Sequence, residues 1–202
     1  MRLIGLTYKN DKIDDEETFR KLPSFLQEIL KQANGLIAYK GGLHIRGCCI
    51  EPQWHSIREV WEGKFALWTH YPELLDIDIP FAQDCMGDQF LLQNEKVIKL
   101  FTETGEVEFP DLTLKEFFAE IEKDPFTFLG LQPLAQFDME GGKLEAGQLL
   151  HSYPPFSANP GGEEITLKAL DVSERLHFLF DLYKKMRRLK EGDGEGFSFV
   201  VG

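Results

Sequence analysis

The sequence predicts a single α+β domain: a central antiparallel sheet flanked by helices, with a C-terminal strap and a long helix packed on it. Three observations predict it. Two apolar runs, Gln89–Gln93 and Val97–Phe101, are separated only by Asn94-Glu95-Lys96, which is hairpin spacing. Helical patterns stand before and after the strand-like stretches instead of alternating with them, which argues against βαβ units. The chain has 202 residues, 43% apolar and 28% charged, the composition of a globular protein long enough to bury a core.

Met1–Tyr8 alternates as a short strand, and Asn10–Glu17 reads as an acidic loop. A helix is predicted over Pro23–Ala33. Proline suits its first position, and Phe25, Leu26, Ile29, Leu30 and Ala33 form one stripe. Asn34-Gly35 stops it. Leu36–Tyr39 and Leu43–Arg46 flank Lys40-Gly41-Gly42 as paired strands, and Trp54–Arg58 opens a short helix ending before Gly63. Phe65–Thr69 is strand-like, and Tyr71–Leu75 is a loop or a single helical turn.

The next stretch, Ile79–Leu100, organises the rest. An Ile79-Pro80-Phe81 entry leads into Asp84-Cys85-Met86-Gly87-Asp88, where glycine between aspartates reads as a tight turn of positive φ. Glu106–Phe109 adds an edge strand. Thr113 and Glu116 make a capping box for a helix that buries Leu114, Phe117, Phe118 and Ile121.

Residues 130–164 are punctuated by glycine and proline yet carry Leu134, Phe137, Leu149, Leu150 and Phe156, so an ordered strap is expected. A final helix begins at an Asp171/Glu174 capping box and presents Leu176, Leu179, Phe180, Tyr183 and Met186 on one face. Phe197–Val201 is a closing edge strand or a tail. The organisation divides into a core over 1–130 and an extension over 131–202.

Ile79-Pro80-Phe81-Ala82 with Asp84 and Gly87-Asp88-Gln89-Phe90 resembles the central signature of the SUKH superfamily, named after yeast cell-wall-assembly regulators and including bacterial immunity proteins. Leu22-Pro23-Ser24-Phe25, Asn34-Gly35, Trp61 and the helix over Leu114–Ile121 extend the resemblance across roughly residues 20–130. It implies a protein-binding fold and a structural role for Pro80, Asp84, Gly87, Asp88 and Trp61, with Trp61 buried.

Charge narrows the function classes. The formal net charge is −12, from 22 basic and 34 acidic residues; residues 1–124 hold 14 basic and 23 acidic residues. Such a surface repels phosphate backbones and suits a basic protein partner, such as a nuclease-type toxin. Three cysteines form no disulfide framework or CxxC pair, so reduced thiols in the cytoplasm are expected. No run is long and apolar enough for a membrane span, and the N-terminus does not read as a signal peptide.

No nucleotide loop, HExxH motif or metal-ligand spacing occurs, so neither metal nor cofactor is expected, nor enzymatic activity. The expected partner surface is Trp54 and Tyr71 as exposed aromatic anchors with Glu73, Asp76 and Asp78. The leading expectation is an immunity-like module, monomeric or weakly dimeric, that occludes a toxin. Its alternatives are a regulatory or scaffolding protein of the same fold, a small hydrolase using a pair such as His70 and Asp84, and a phage-like component acting through homo-oligomerisation.

Overall fold

The computed structural model describes residues 3–159, 162 and 164–190. The expected Phe197–Val201 strand or tail lies outside them.

Seven strands run antiparallel in sequence order: β1 (Tyr8–Lys9), β2 (Leu36–Ala38), β3 (Leu43–Ile45), β4 (Ile79–Asp84), β5 (Gln89–Gln93), β6 (Lys96–Phe101) and β7 (Glu106–Thr113). Each strand therefore pairs only with its neighbours in the chain. The β5–β6 turn needs just Asn94 and Glu95, both at positive φ (49° and 68°), the geometry of a two-residue hairpin. β7 is longer than expected. Its outer edge carries Glu106, Glu108, Pro110 and Asp111, charge and proline that discourage pairing with another chain.

Side chains alternate across the sheet, so its faces hold separate cores. Phe81, Phe90, Leu92 and Val97 point to one face, where α2 (Ser24–Gln32) contributes Leu26 and Leu30 and α4 (Leu114–Lys123) contributes Phe117, Phe118 and Ile121. Leu91, Ile98 and Leu100 point to the other, covered by Leu67, Tyr71 and Leu74 and by α7 (Val172–Lys190) through Leu176, Leu179, Phe180 and Tyr183. The helices at 114–123 and 172–190 thus sandwich one sheet from opposite sides.

Several expectations need correction. The N-terminal strand is confined to Tyr8–Lys9, because residues before it bond singly: Ile4 and Gly5 carbonyls accept from the Tyr39 and Lys40 amides. The acidic loop stops at Asp15, where α1 (Glu16–Lys21) begins; the Asp15 carboxylate caps it, accepting from the Thr18 amide, and pairs with Arg58. Phe65–Thr69 is no strand; Leu67–Thr69 is a 3-10 turn after α3 (Ile57–Trp61). A short helix, α5 (Pro125–Phe128), precedes the strap; the strap itself holds α6 (Gln132–Met139) and β8 (Gln148–Tyr153), which forms a hairpin with β9 (Thr166–Asp171) just beyond it. That hairpin is tied to the main sheet by the Leu150 amide donating to the Cys85 carbonyl at 2.8 Å.

Polar side chains cross the second face near β3. Arg46, 1% exposed, donates to Gln83 Oε1 at 2.5 Å, Gln89 Oε1 at 2.7 Å and the Pro80 carbonyl at 3.3 Å. Gln83 Nε2 lies 3.1 Å from His44 Nδ1, His44 Nε2 lies 2.8 Å from His55 Nδ1, and His55 Nε2 lies 2.9 Å from the Asn34 carbonyl. An amide N–H can only donate, so His44 must accept at Nδ1 and donate from Nε2. His55 must then do the same, and one tautomer set satisfies the whole chain. Both rings are neutral: burial, the neighbouring His55 and Arg46 hold His44 well below its usual range, and burial brings His55 down to about 4.

These histidines contribute stability that is complete above the unfolded pKa of ~6.5 and is withdrawn as pH falls toward the folded values. Asp88 acts oppositely. Burial and the Asp84 charge raise its carboxyl to about 7, so its protonation adds stability over the same interval. Asp88→Asn should therefore give a melting midpoint that falls more steeply from pH 7 to 4 than the wild type does. A parallel pair of profiles would dismiss this opposition.

Candidate functional site

The central turn joins β4 to β5. Asp84 Oδ1 accepts from the amides of Met86, Gly87 and Asp88 at 3.0–3.1 Å, so one carboxylate closes the loop. Lys99 reaches Asp84 Oδ2 at 3.1 Å and Asp88 at 3.8 Å, and Asp88 Oδ1 accepts from the amide and hydroxyl of Thr102. Gly87 has φ +96°, and a Cβ there would stand 3.0 Å from Leu179 and 3.3 Å from Leu149. Gly87→Ala should cost about 1–2 kcal/mol, from the backbone conformation and the fit against α7. Chemical denaturation measures it, and an unchanged midpoint would remove the requirement for glycine.

Arg175 binds this turn to the extension. It is 1% exposed and donates to the Met86 carbonyl at 3.2 Å, His151 Nδ1 at 3.1 Å and Glu103 Oε1 at 3.3 Å. A guanidinium with its fork of donors can join α7, β8 and two turns of the sheet at once. Sequence reasoning missed it. Its one signal is position, an arginine directly beside Leu176 and three residues after Val172 in the apolar stripe.

The expected partner residues separate. Tyr71 is fully buried, with its hydroxyl donating to the Thr102 carbonyl at 2.8 Å, so it is a core residue and not an exposed anchor. Asp78 is 3% exposed and turns inward to accept from the Leu75 amide and Gln93 Nε2; it shapes the loop and faces no partner. Trp54 is half-buried among Tyr8, His44 and His55, and its ring closes against Gly147, which corrects its reading as a free anchor. Glu73 and Asp76 are exposed, Glu73 accepting from the Tyr183 hydroxyl at 2.8 Å. Trp61 is 7% exposed and its indole N–H donates to the Asp76 carbonyl at 2.8 Å. Pro80 is buried in β4.

Around Glu73 and Asp76 stand three large exposed side chains: Trp68 at 42%, Leu75 at 54% and Ile77 at 62%. The backbone beneath them is fixed by Trp61, Asp78 and the Trp68 indole, which donates to the Trp61 carbonyl at 3.1 Å. Segment 68–77 is thus a pre-formed surface, acidic and tipped with apolar groups.

The groups available for chemistry lie elsewhere and in other states. His70 stacks on Phe180 at 3.8 Å between centroids, while Asp84 is engaged by three amides and Lys99, so the two do not form a catalytic pair. Cys48, Cys49 and Cys85 are buried free thiols; burial pushes Cys48 and Cys49 up to about 12 and Cys85 higher, far from nucleophilic thiolates. No cluster of three or more metal-ligating side chains occurs among the described residues, and no helix among them is long and apolar enough to cross a membrane. No family model matches the chain, and no curated protein matches it.

Proposed function

We propose that this chain is a non-enzymatic protein-binding module that docks a basic partner on segment 68–77. The observation that carries the reading is the side-by-side exposure of Trp68, Leu75 and Ile77 with Glu73 and Asp76 on a backbone already held in place. Apolar anchors within a charged rim are the anatomy of a protein interface, and a pre-formed loop loses little entropy on binding. The net charge of −12 supports a basic partner, whose approach it would accelerate.

The SUKH-like order of motifs around Pro80, Asp84 and Gly87-Asp88 supports an immunity-like role. In it the module occludes a toxin, nuclease-type if the charge complementarity extends to the toxin's own substrate site. The compartment consistent with three reduced cysteines is the cytoplasm.

The test is surface plasmon resonance against the protein this chain captures from its native lysate, at two salt concentrations. Asp76→Lys should slow association at low salt, with the effect shrinking at high salt, where charges beyond ~8 Å are screened. Trp68→Ala or Ile77→Ala should speed dissociation, by about 2 kcal/mol for a central anchor. A partner that binds all three variants like the wild type places the interface elsewhere.

A further inference from the structure

A cleft of about 290 Å3 opens beside the β6–β7 turn, walled by Phe101 and Phe156 and rimmed by Glu106 and Glu108. Glu103 and Asp88 line its inner side, where Arg175 is already committed to Glu103. Glu106 and Glu108 are two residues apart on one strand and project to the same face. Pockets for drug-sized ligands run from roughly 300 to 1,000 Å3, so this one suits a single side chain.

The same neighbourhood already holds one cation by the same chemistry. Lys99 Nζ lies 4.7 Å from the Phe101 ring centroid and 5.4 Å from that of Phe90, with Asp84 and Asp88 beside it. Five carboxylates, Asp84, Asp88, Glu103, Glu106 and Glu108, stand in and around the cleft against the two cations Lys99 and Arg175.

We propose that this cleft receives an arginine side chain of the protein partner, a proposal that rests on the protein-binding reading above. The planar guanidinium stacks on a phenyl ring such as Phe101 or Phe156, which a compact ammonium does less well, and its fork of N–H groups can meet Glu106 and Glu108 together. The cleft is continuous with segment 68–77 through Tyr183, which donates to Glu73 and packs its ring over Gly105. One partner surface can therefore cover both. Burial, with the Asp84 charge beside it, keeps Asp88 partly protonated near neutrality, so entry of a cation favours loss of that proton and binding strengthens as pH rises through 7.

The test uses the full chain, labelled for amide NMR, and two blocked tripeptides, acetyl-Gly-Arg-Gly-amide and its citrulline counterpart, which keeps the shape and lacks the charge. The arginine peptide should shift amides at 101–108 and 156–157, bind at least tenfold more tightly than the citrulline peptide, and weaken severalfold from pH 7.5 to 6. Glu106→Gln/Glu108→Gln, on exposed positions that leave the melt intact, should reduce its affinity about tenfold, as should Phe156→Ala. Equal binding of both peptides, shifts scattered over the surface, or indifference to these variants would overturn the proposal. The partner assay separates the two readings. A partner that loses affinity with Asp76→Lys but not with Glu106→Gln/Glu108→Gln keeps segment 68–77 and removes the cleft. Loss with both variants keeps both.

Discussion

A chain ending at Ile165 should aggregate and show no cooperative melt. Such a chain lacks α7, the long helix over the face formed by Leu91, Ile98 and Leu100. Leu176, Leu179, Phe180 and Tyr183 are each worth roughly 1.5–3 kcal/mol of burial, and their sheet partners lose cover at the same time. The total matches or exceeds the net stability of an ordinary domain, about 5–15 kcal/mol. Arg175 leaves with them, and Glu103 then stays in a mostly buried site without its cation. Light scattering and circular dichroism during heating check the outcome. A monomeric fragment with an unchanged midpoint would make the extension an independent appendage.

Arg46→Ala should destabilise the fold by roughly 3–5 kcal/mol. The side chain is buried and its charge is met by neutral acceptors alone, which lowers its pKa to about 9 yet leaves it protonated at neutral pH. Removing a buried charge relieves a desolvation cost, but the acceptors left behind outweigh that relief. Gln83 Oε1, Gln89 Oε1 and the Pro80 carbonyl each lose a donor, at about 1–3 kcal/mol apiece, around a new void. Replacing Arg46, Gln83 and Gln89 together by Met, Leu and Leu should recover only part of the loss: the two stranded amide oxygens are gone, but His44 Nδ1 loses the Gln83 amide that donated to it. Urea denaturation of the two variants decides it. An alanine variant within 1 kcal/mol of the wild type would mean that water takes over the donor role.

The legible parts of this fold were those written in local pattern. The 24–32 and 114–123 helices, the β5–β6 hairpin and the turn at Gly87 each rest on spacing or caps within a dozen residues. Where packing overrode pattern, the sequence misled. Phe65–Thr69 has strand-like residues, yet Leu67 alone is buried among its large side chains and the backbone curls into a 3-10 turn. At the end of the strap, Gln148–Tyr153 and the following Thr166–Asp171 find each other across a glycine- and proline-rich connection that hides the pairing.

The surface suffered likewise. Tyr71 and Asp78 sit in a polar context but turn inward, while Trp68 and Ile77 turn outward, and nothing in their neighbours' identity announces which. The buried run from Arg46 to Asn34 was illegible for the same reason. His44, His55 and Gln83 are far apart in the chain and meet only once the sheet and the 53–55 turn are assembled.

The sequential strand order has a consequence for synthesis. Each new strand can pair with the one just made, so the sheet can grow vectorially as the chain leaves the ribosome, without waiting for distant partners. The two faces do not mature together. The face that takes α2 and α4 is covered soon after β7 appears, whereas the face of Leu91, Ile98 and Leu100 has only Leu67, Tyr71 and Leu74 over it until α7 follows some fifty residues later. At about 5–20 residues per second that is a wait of several seconds, during which a nascent chain displays an apolar sheet surface. Neighbouring nascent chains and chaperones meet that surface before the finished protein exists.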